Sequence, residues 1–264
     1  MIIKIGVFGG AYKSTYVNSL SSPCVRTLRD ESGDFSSRFY YDRLGRLVVS
    51  QNARQYANNK FSYSLYDALG RVFQAGEKSE NNGTSLFATI FGTNVGGQYI
   101  PTVIDDAKLA VWINASGSRK EVTQSYYDQT VIAGLPSDYM PNPQTQRKRI
   151  THVTYEYQYD GDDQKYDHAT HYDYDIHGNV KTLLQDNKKM AQDPLLVSQR
   201  FKRMDYNYDL ISGNVHRVSY EKGKIDQWHH AYEYDADNRI TEVFTTTTTP
   251  FTTPQQGQIA SQNN

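Results

Sequence analysis

Apolar and polar residues alternate in steps of two along much of this chain. Tyr155-Glu156-Tyr157-Gln158-Tyr159, Tyr172-Asp173-Tyr174, Tyr206-Asn207-Tyr208 and Tyr232-Glu233-Tyr234 each set tyrosine on one side of an extended segment and polar groups on the other. That period predicts strands, and three of these four runs lead straight into one recurrent unit. Tyr41-Asp42-Arg43-Leu44-Gly45-Arg46-Leu47 returns as Tyr66-Asp67-Ala68-Leu69-Gly70-Arg71-Val72 and as Tyr174-Asp175-Ile176-His177-Gly178-Asn179-Val180. Two looser copies follow. Tyr208-Asp209-Leu210-Ile211-Ser212-Gly213-Asn214-Val215 is one residue longer, and Tyr234-Asp235-Ala236-Asp237-Asn238-Arg239-Ile240 has Asn in place of Gly. Tyr127-Asp128 opens in the same way but lacks the Gly at the expected place.

The residue types fit a tight turn. An Asp at the first position accepts hydrogen bonds from backbone N–H groups about two residues on. The Gly that follows supplies a positive φ, and Asn238 is the next most tolerant residue there. The residue two places later, Leu47, Val72, Val180, Val215 or Ile240, is branched and apolar and restarts a strand. Each copy therefore predicts a β-hairpin. The fold class predicted is all-β, with hairpins side by side in a curved antiparallel sheet.

Three regions follow. Residues 1–38 fall outside the repeat. Residues 39–244 carry it, broken by an irregular insert at about 77–125 and by a Pro-rich loop at about 134–149. In the insert, Lys108 to Asn114 predicts a strand or a short helix around Trp112. Residues 245–264 are rich in Thr, Gln and Asn, bury little, and predict a mobile tail. Repeat arrays bury their faces on neighbours and need end caps, and neither end supplies one. The chain thus reads as part of a longer polypeptide, with exposed strand edges.

Composition sharpens this picture. Mean hydropathy is −0.72 and only 38% of residues are hydrophobic, which taken alone would suit disorder. Yet 22 Tyr, 10 Phe and 2 Trp supply a large aromatic resource, so the chain is folded. A net charge of −1 steers it towards neither nucleic acid nor an anionic membrane. No apolar run approaches a membrane span, and the N-terminus makes a poor signal peptide. Cys24 stands alone, which excludes an internal disulfide.

Candidate chemistry is sparse. His168, His171, Asp173, Asp175 and His177 are close enough in sequence to suggest a metal site, but strand neighbours two apart lie about 6.5–7 Å from one another, so at most two could share an ion. The competing expectation is a solvated polar face opposite Tyr172 and Tyr174. Gly6 to Thr15 resembles a phosphate loop but puts Tyr12 where a Gly must precede the Lys. Cys24 beside Pro23 has no feature that would lower its pKa. Arg147-Lys148-Arg149 reads as a solvated loop edge. Asn82-Gly83-Thr84 and Asn114-Ala115-Ser116 match the glycosylation pattern. No acid–base or nucleophile set converges, so neither an enzyme nor a cofactor is expected.

The unit Tyr-Asp-x-x-Gly-Arg/Asn-Leu/Val resembles the YD repeat of the Rhs family, shared with the C components of bacterial toxin complexes and with teneurins. The resemblance covers roughly residues 39–244 and is strongest at 39–73 and 172–181. It implies hairpins wound into one long spiralling sheet that closes as a hollow shell. In bacterial members the shell encloses a toxic C-terminal domain freed by self-cleavage. It also implies a secreted or cell-surface setting, with the rest of the polypeptide and an enclosed toxin domain as partners. The Asp-Pro-x-Gly stretch that ends the Rhs core is missing: Asp193-Pro194-Leu195-Leu196 comes nearest and lacks the Gly. Protease and cargo roles therefore pass to no residue here. The expected function is structural, carried by the turn Asp, the Gly or Asn, the preceding Tyr and the branched residue of each copy. The alternative is a carbohydrate- or surface-binding module that stacks sugars on Tyr155, Tyr157 and Tyr159.

Overall fold

The computed structural model describes residues 6–7, 10–11, 13–15, 25–29, 36–80, 86–95, 98–101, 104–128, 134–162, 165–248 and 250. Cys24, Asn82-Gly83-Thr84 and the tail from residue 251 lie outside them. The described residues are mostly antiparallel sheet, with few and short helices, and the fold is all-β. None of these helices is long and apolar enough to cross a membrane. The chain forms two compact units, residues 1–124 with 156–165, and residues 125–155 with 166–264.

In the first unit, β1 (Gly6–Val7) pairs with β2 (Gly10–Ala11). The main sheet runs in the order β3 (Lys13–Thr15), β4 (Val25–Arg29), β5 (Ser36–Tyr41), β6 (Leu47–Gln51), β7 (Lys60–Tyr66) and β8 (Val72–Ser79). Between β6 and β7 sits α1 (Ala53–Ala57). Its start is fixed by a reciprocal cap in which Asn52 and Gln55 each accept the other's backbone N–H. The insert after β8 holds α2 (Leu86–Phe91), the pair β9 (Gly92–Val95) and β10 (Gln98–Pro101), and α3 (Asp106–Asn114). The chain then returns as β11 (Ser118–Tyr127), which pairs with β8. The segment around Trp112 is thus a helix, begun by the Asp105 side chain accepting from the Lys108 N–H.

The core of this unit lies between its sheet and that insert. Register sets Tyr40 opposite Val49 and Val49 opposite Tyr63, so the three share a face. Phe87, Phe91 and Trp112 close over that face and over Phe61. Phe87 stacks on Phe61 at 4.6 Å and meets Trp112 edge-on at 5.4 Å. Two buried charges pin the insert down. The Lys78 ammonium donates to the carbonyls of Ile113 and Ala115 at the end of α3, and the Glu80 carboxylate accepts from Trp112 Nε1 at 2.8 Å and the Phe87 N–H at 2.7 Å.

The second unit is a meander. Its strands are β12 (Ile150–Tyr159), taken up to Tyr155, β13 (His168–Tyr174), β14 (Val180–Asn187), β15 (Phe201–Tyr208), β16 (Val215–Tyr220), β17 (Trp228–Tyr234) and β18 (Ile240–Thr246). Each is antiparallel to the next, and the two end strands do not pair with each other. A helical turn, α4 (Pro143–Gln146), lies in the Pro-rich segment.

Register aligns His152, His171, Leu184 and Arg203 in one row and Thr154, Ala169, Asp186 and Phe201 in another. This polar-looking face is the buried one. His171 is 1% exposed and Asp173 6%, whereas Tyr172 and Tyr174 opposite them are only half-buried. The solvated polar face expected from the alternation is therefore reversed. The cause is the Pro-rich segment, which lies across it. Tyr139 sets its ring edge-on to His171 at 6.1 Å, the Asn142 N–H donates to Asp173 at 3.1 Å, Gln146 Nε2 donates to the Tyr172 carbonyl at 3.0 Å, and Asp138 pairs with Arg203 at 3.1 Å.

Candidate functional site

The five repeat turns share one construction. The Asp N–H donates to the carbonyl of the residue four on: Asp42 to Arg46, Asp67 to Arg71, Asp175 to Asn179, Asp235 to Arg239, and, in the longer copy, Asp209 to Asn214. The Asp Oδ1 accepts from N–H groups within the turn, as Asp42 does from Leu44 and Arg46, both at 2.9 Å. In four copies Oδ2 takes the side chain four residues on: Arg46, Arg71, Asn179 or Arg239. The residue closing each turn has positive φ: Gly45 76°, Gly70 79°, Gly178 99°, Gly213 75° and Asn238 61°. At every one the register slips by one residue. Tyr41 faces Leu47, Tyr66 faces Val72, Tyr174 faces Val180, Tyr208 faces Val215 and Tyr234 faces Ile240, with one residue bulged on the returning strand.

These hydrogen bonds set the carboxyl pKa values. Burial works to raise Asp67 and Asp175, but the bonds from Arg71 and Asn179 outweigh it and hold both below the usual carboxylate value. The Arg239 backbone and guanidinium do the same for Asp235. At Asp209 the bonds from Ser212, then Ile211, lower it to about 2.

A sixth turn was hidden by its length. Asp128 N–H donates to the Arg149 carbonyl, the Lys148 N–H donates to Asp128 Oδ1, and Lys148 holds φ at 62°. Lys148 thus stands where Gly45 does, Arg149 where Arg46 does, and Ile150 restarts the strand as Leu47 does. The Pro-rich segment is an expansion of this turn. The basic run read as a loop edge is its closing part. A Lys in place of Gly, and the long spacing, removed the signal that sequence reading relied on.

The turn tyrosines join one hairpin to the one before. Tyr66 Oη donates to the Leu47 carbonyl at 2.9 Å, Tyr174 Oη to Ile150 at 2.8 Å, Tyr208 Oη to Val180 at 2.9 Å and Tyr234 Oη to Val215 at 2.9 Å. Each acceptor is the residue that restarts a strand. Arginine reinforces two of these joints: Arg46 lies over the Tyr66 ring at 4.5 Å and Arg149 over Tyr174 at 5.4 Å. Nothing in a single copy of the motif indicates this, since acceptor and donor belong to different copies.

The suggested metal residues are scattered. His168 is exposed on one face, His171 and Asp173 are buried on the other, and Asp175 and His177 sit in the turn, where the Asp175 carboxylate already accepts from His177, Gly178 and Asn179. No group of three or more His, Cys, Asp or Glu residues placed to hold an ion occurs among the described residues. The loop resembling a phosphate site places Lys13-Ser14-Thr15 on a strand and not at a helix start. Within the first unit, Arg119 covers the Tyr159 ring at 4.3 Å and Lys120 lies 5.6 Å from that of Tyr157.

No family model matches this chain, and no curated protein sequence does. Among solved structures, the chain is similar over 90% of its length to part of a Tc holotoxin pore from Photorhabdus luminescens, at 12% identity and a TM-score of 0.41, and it spans 11% of that chain. It is also similar over 89% of its length to a porin-like protein from Bacteroides uniformis, at 9% identity and a TM-score of 0.25, covering 88% of that protein. At these scores neither likeness bears on function.

Proposed function

We propose that this chain is a stretch of wall in a YD-repeat shell of the Rhs kind, whose work is to enclose or present a polypeptide, a toxin domain in the family it resembles. The observation that carries the reading is the series of tyrosine-to-carbonyl bonds. Each ties a hairpin to its predecessor at the same place, so hairpins add sideways at a fixed offset, while the bulge in every turn adds twist and bend. Such a construction extends by repetition and spends its polar groups on neighbouring hairpins. In this series the Ile240 carbonyl is the next acceptor, and no tyrosine reaches it among the described residues. The partners are then further hairpins of the same longer polypeptide and the domain they surround.

The test is single-particle electron microscopy of the natural polypeptide that carries residues 39–244. A hollow particle with these hairpins in its wall is expected, and hairpins lying outside any enclosing wall overturn the proposal. At the level of one joint, Tyr66→Phe and Tyr208→Phe each remove a hydroxyl and should cost about 1 kcal/mol in urea unfolding. The sugar-stacking alternative is less well supported, because Arg119 and Lys120 already approach the rings of Tyr159 and Tyr157.

A further inference from the structure

In the second unit, two cavities that share Asp138, Arg203 and Lys222 lie under the Pro-rich segment. The inner one, about 100 Å3, is walled by Pro136, Leu184 and Phe201 and also lined by Tyr139 and Glu221. The outer one, about 460 Å3, adds Asn207, Arg217 and Ser219 to its lining. We infer that this groove binds a small hydroxylated molecule through a carboxylate or phosphate group held by Arg217 and Lys222. The inference does not rest on the wall reading.

Arg203 is committed to Asp205 at 2.9 Å and Asp138 at 3.1 Å, and Asp205 also accepts from Thr182. Glu221 accepts from the Arg203 N–H and lies 3.6 Å from Lys202 and 3.0 Å from Lys224. The side chains of Arg217 and Lys222 have no hydrogen bond or carboxylate partner among the described residues, and those of Asn207 and Ser219 have no hydrogen bond. Arg217 is half-buried and Lys222 exposed, and both line the outer cavity, where a carboxylate or phosphate would complete them through charge-assisted bonds.

A second observation points into the same space. Tyr139 is 6% exposed, yet its hydroxyl has no hydrogen-bond partner. Buried polar groups are nearly always satisfied, and Tyr139 lines the inner cavity. A ligand with its anionic group on Arg217 and Lys222 and a hydroxyl reaching inward would supply the bond that the Tyr139 hydroxyl lacks.

The experiment is calorimetric titration of the full chain, in phosphate-free buffer at low salt, with glucuronate, glucose 6-phosphate and neutral glucose. Saturable binding of an anion and not of glucose is expected, and the tighter of the two anions distinguishes carboxylate from phosphate as the group recognised. Arg217→Gln and Lys222→Gln should each weaken that binding about tenfold or more. Tyr139→Phe should weaken it a few-fold, and Lys189→Gln, far along the sequence and paired with Asp167, should leave it unchanged. Lys222 is exposed, so its variant folds even if Arg217→Gln does not. No saturable heat, equal binding of glucose, or an affinity indifferent to Lys222→Gln overturns the inference and leaves a cavity that holds water alone.

Discussion

In the first unit the covered sheet face meets α2 and α3, and Phe87, Phe91 and Trp112 close over Tyr40, Val49, Phe61 and Tyr63. In the second, a face built from the same hairpin repeat meets a proline-rich strap whose Tyr139, Asn142 and Gln146 land on His171, Asp173 and the Tyr172 carbonyl. The turns are alike in both, so the repeat does not dictate what fills the space beside the sheet. The inserted segment does. An aromatic insert makes a dry core, where each large side chain contributes several kcal/mol. A polar strap exchanges hydrogen bonds to water for hydrogen bonds to protein, which nets little per bond and leaves imidazoles buried where they are hard to charge.

The contrast is open to direct attack, with amide hydrogen exchange reading the strands of each unit separately. The largest effect should come from Phe87→Ala, which hollows the first core and should cost about 3–5 kcal/mol at β7. A loss below about 1 kcal/mol would mean that α2 contributes no core. Acid should act next, and on the second unit. Burial lowers His152 and His171 to about 4, and the ordinary value is near 6.5. The folded state then binds fewer protons than the unfolded state between those limits. Stability is complete above about pH 6.5 and falls as the pH drops towards 4, by on the order of 3 kcal/mol. His171→Gln should flatten that slope at β14, and an unchanged slope would discount the buried pair. The depressed turn carboxylates act in a lower window and in both units: their contribution is present above about pH 4 and is lost below it as they protonate.

Gly178→Ala and Gly45→Ala separate local strain from close approach. Both residues hold positive φ, which costs an L-residue about 1–2 kcal/mol. A Cβ at Gly178 would come within 2.5 Å of Arg149 Nη2, whereas none meets anything within 4 Å at Gly45. Displacing Arg149 from the Tyr174 ring should make the second-unit variant worse by about 1 kcal/mol. Equal melting temperatures would show that Arg149 moves aside freely. The smallest effect belongs to Tyr139→Phe, expected within about 0.5 kcal/mol of wild type without ligand, because its hydroxyl has no partner to lose.

Much of this was legible in the residues. Asp, Gly and a branched apolar residue at fixed offsets dictate a turn through short-range hydrogen bonds and a single backbone dihedral, so five hairpins could be read without knowing what surrounds them. Of the sixth only the opening Tyr127-Asp128 could be read, because Lys148 takes the Gly conformation and 19 residues separate it from Asp128. The helix around Trp112 was ambiguous for a related reason: a short apolar run suits either period, and the Asp105 cap and the aromatic partners settle it. The groove at Arg217 and Lys222 left no local signal at all.

By itself, then, the chain's order of residues determined the strands, their turns and an all-β class, since these depend on neighbours within a few positions. Which face of each sheet is dry was decided only in three dimensions. Alternation marks two faces but cannot say which one an insert many residues away will cover. Thus His171 and Asp173, polar by type, are buried beneath a strap, and the tyrosines opposite them stay half open.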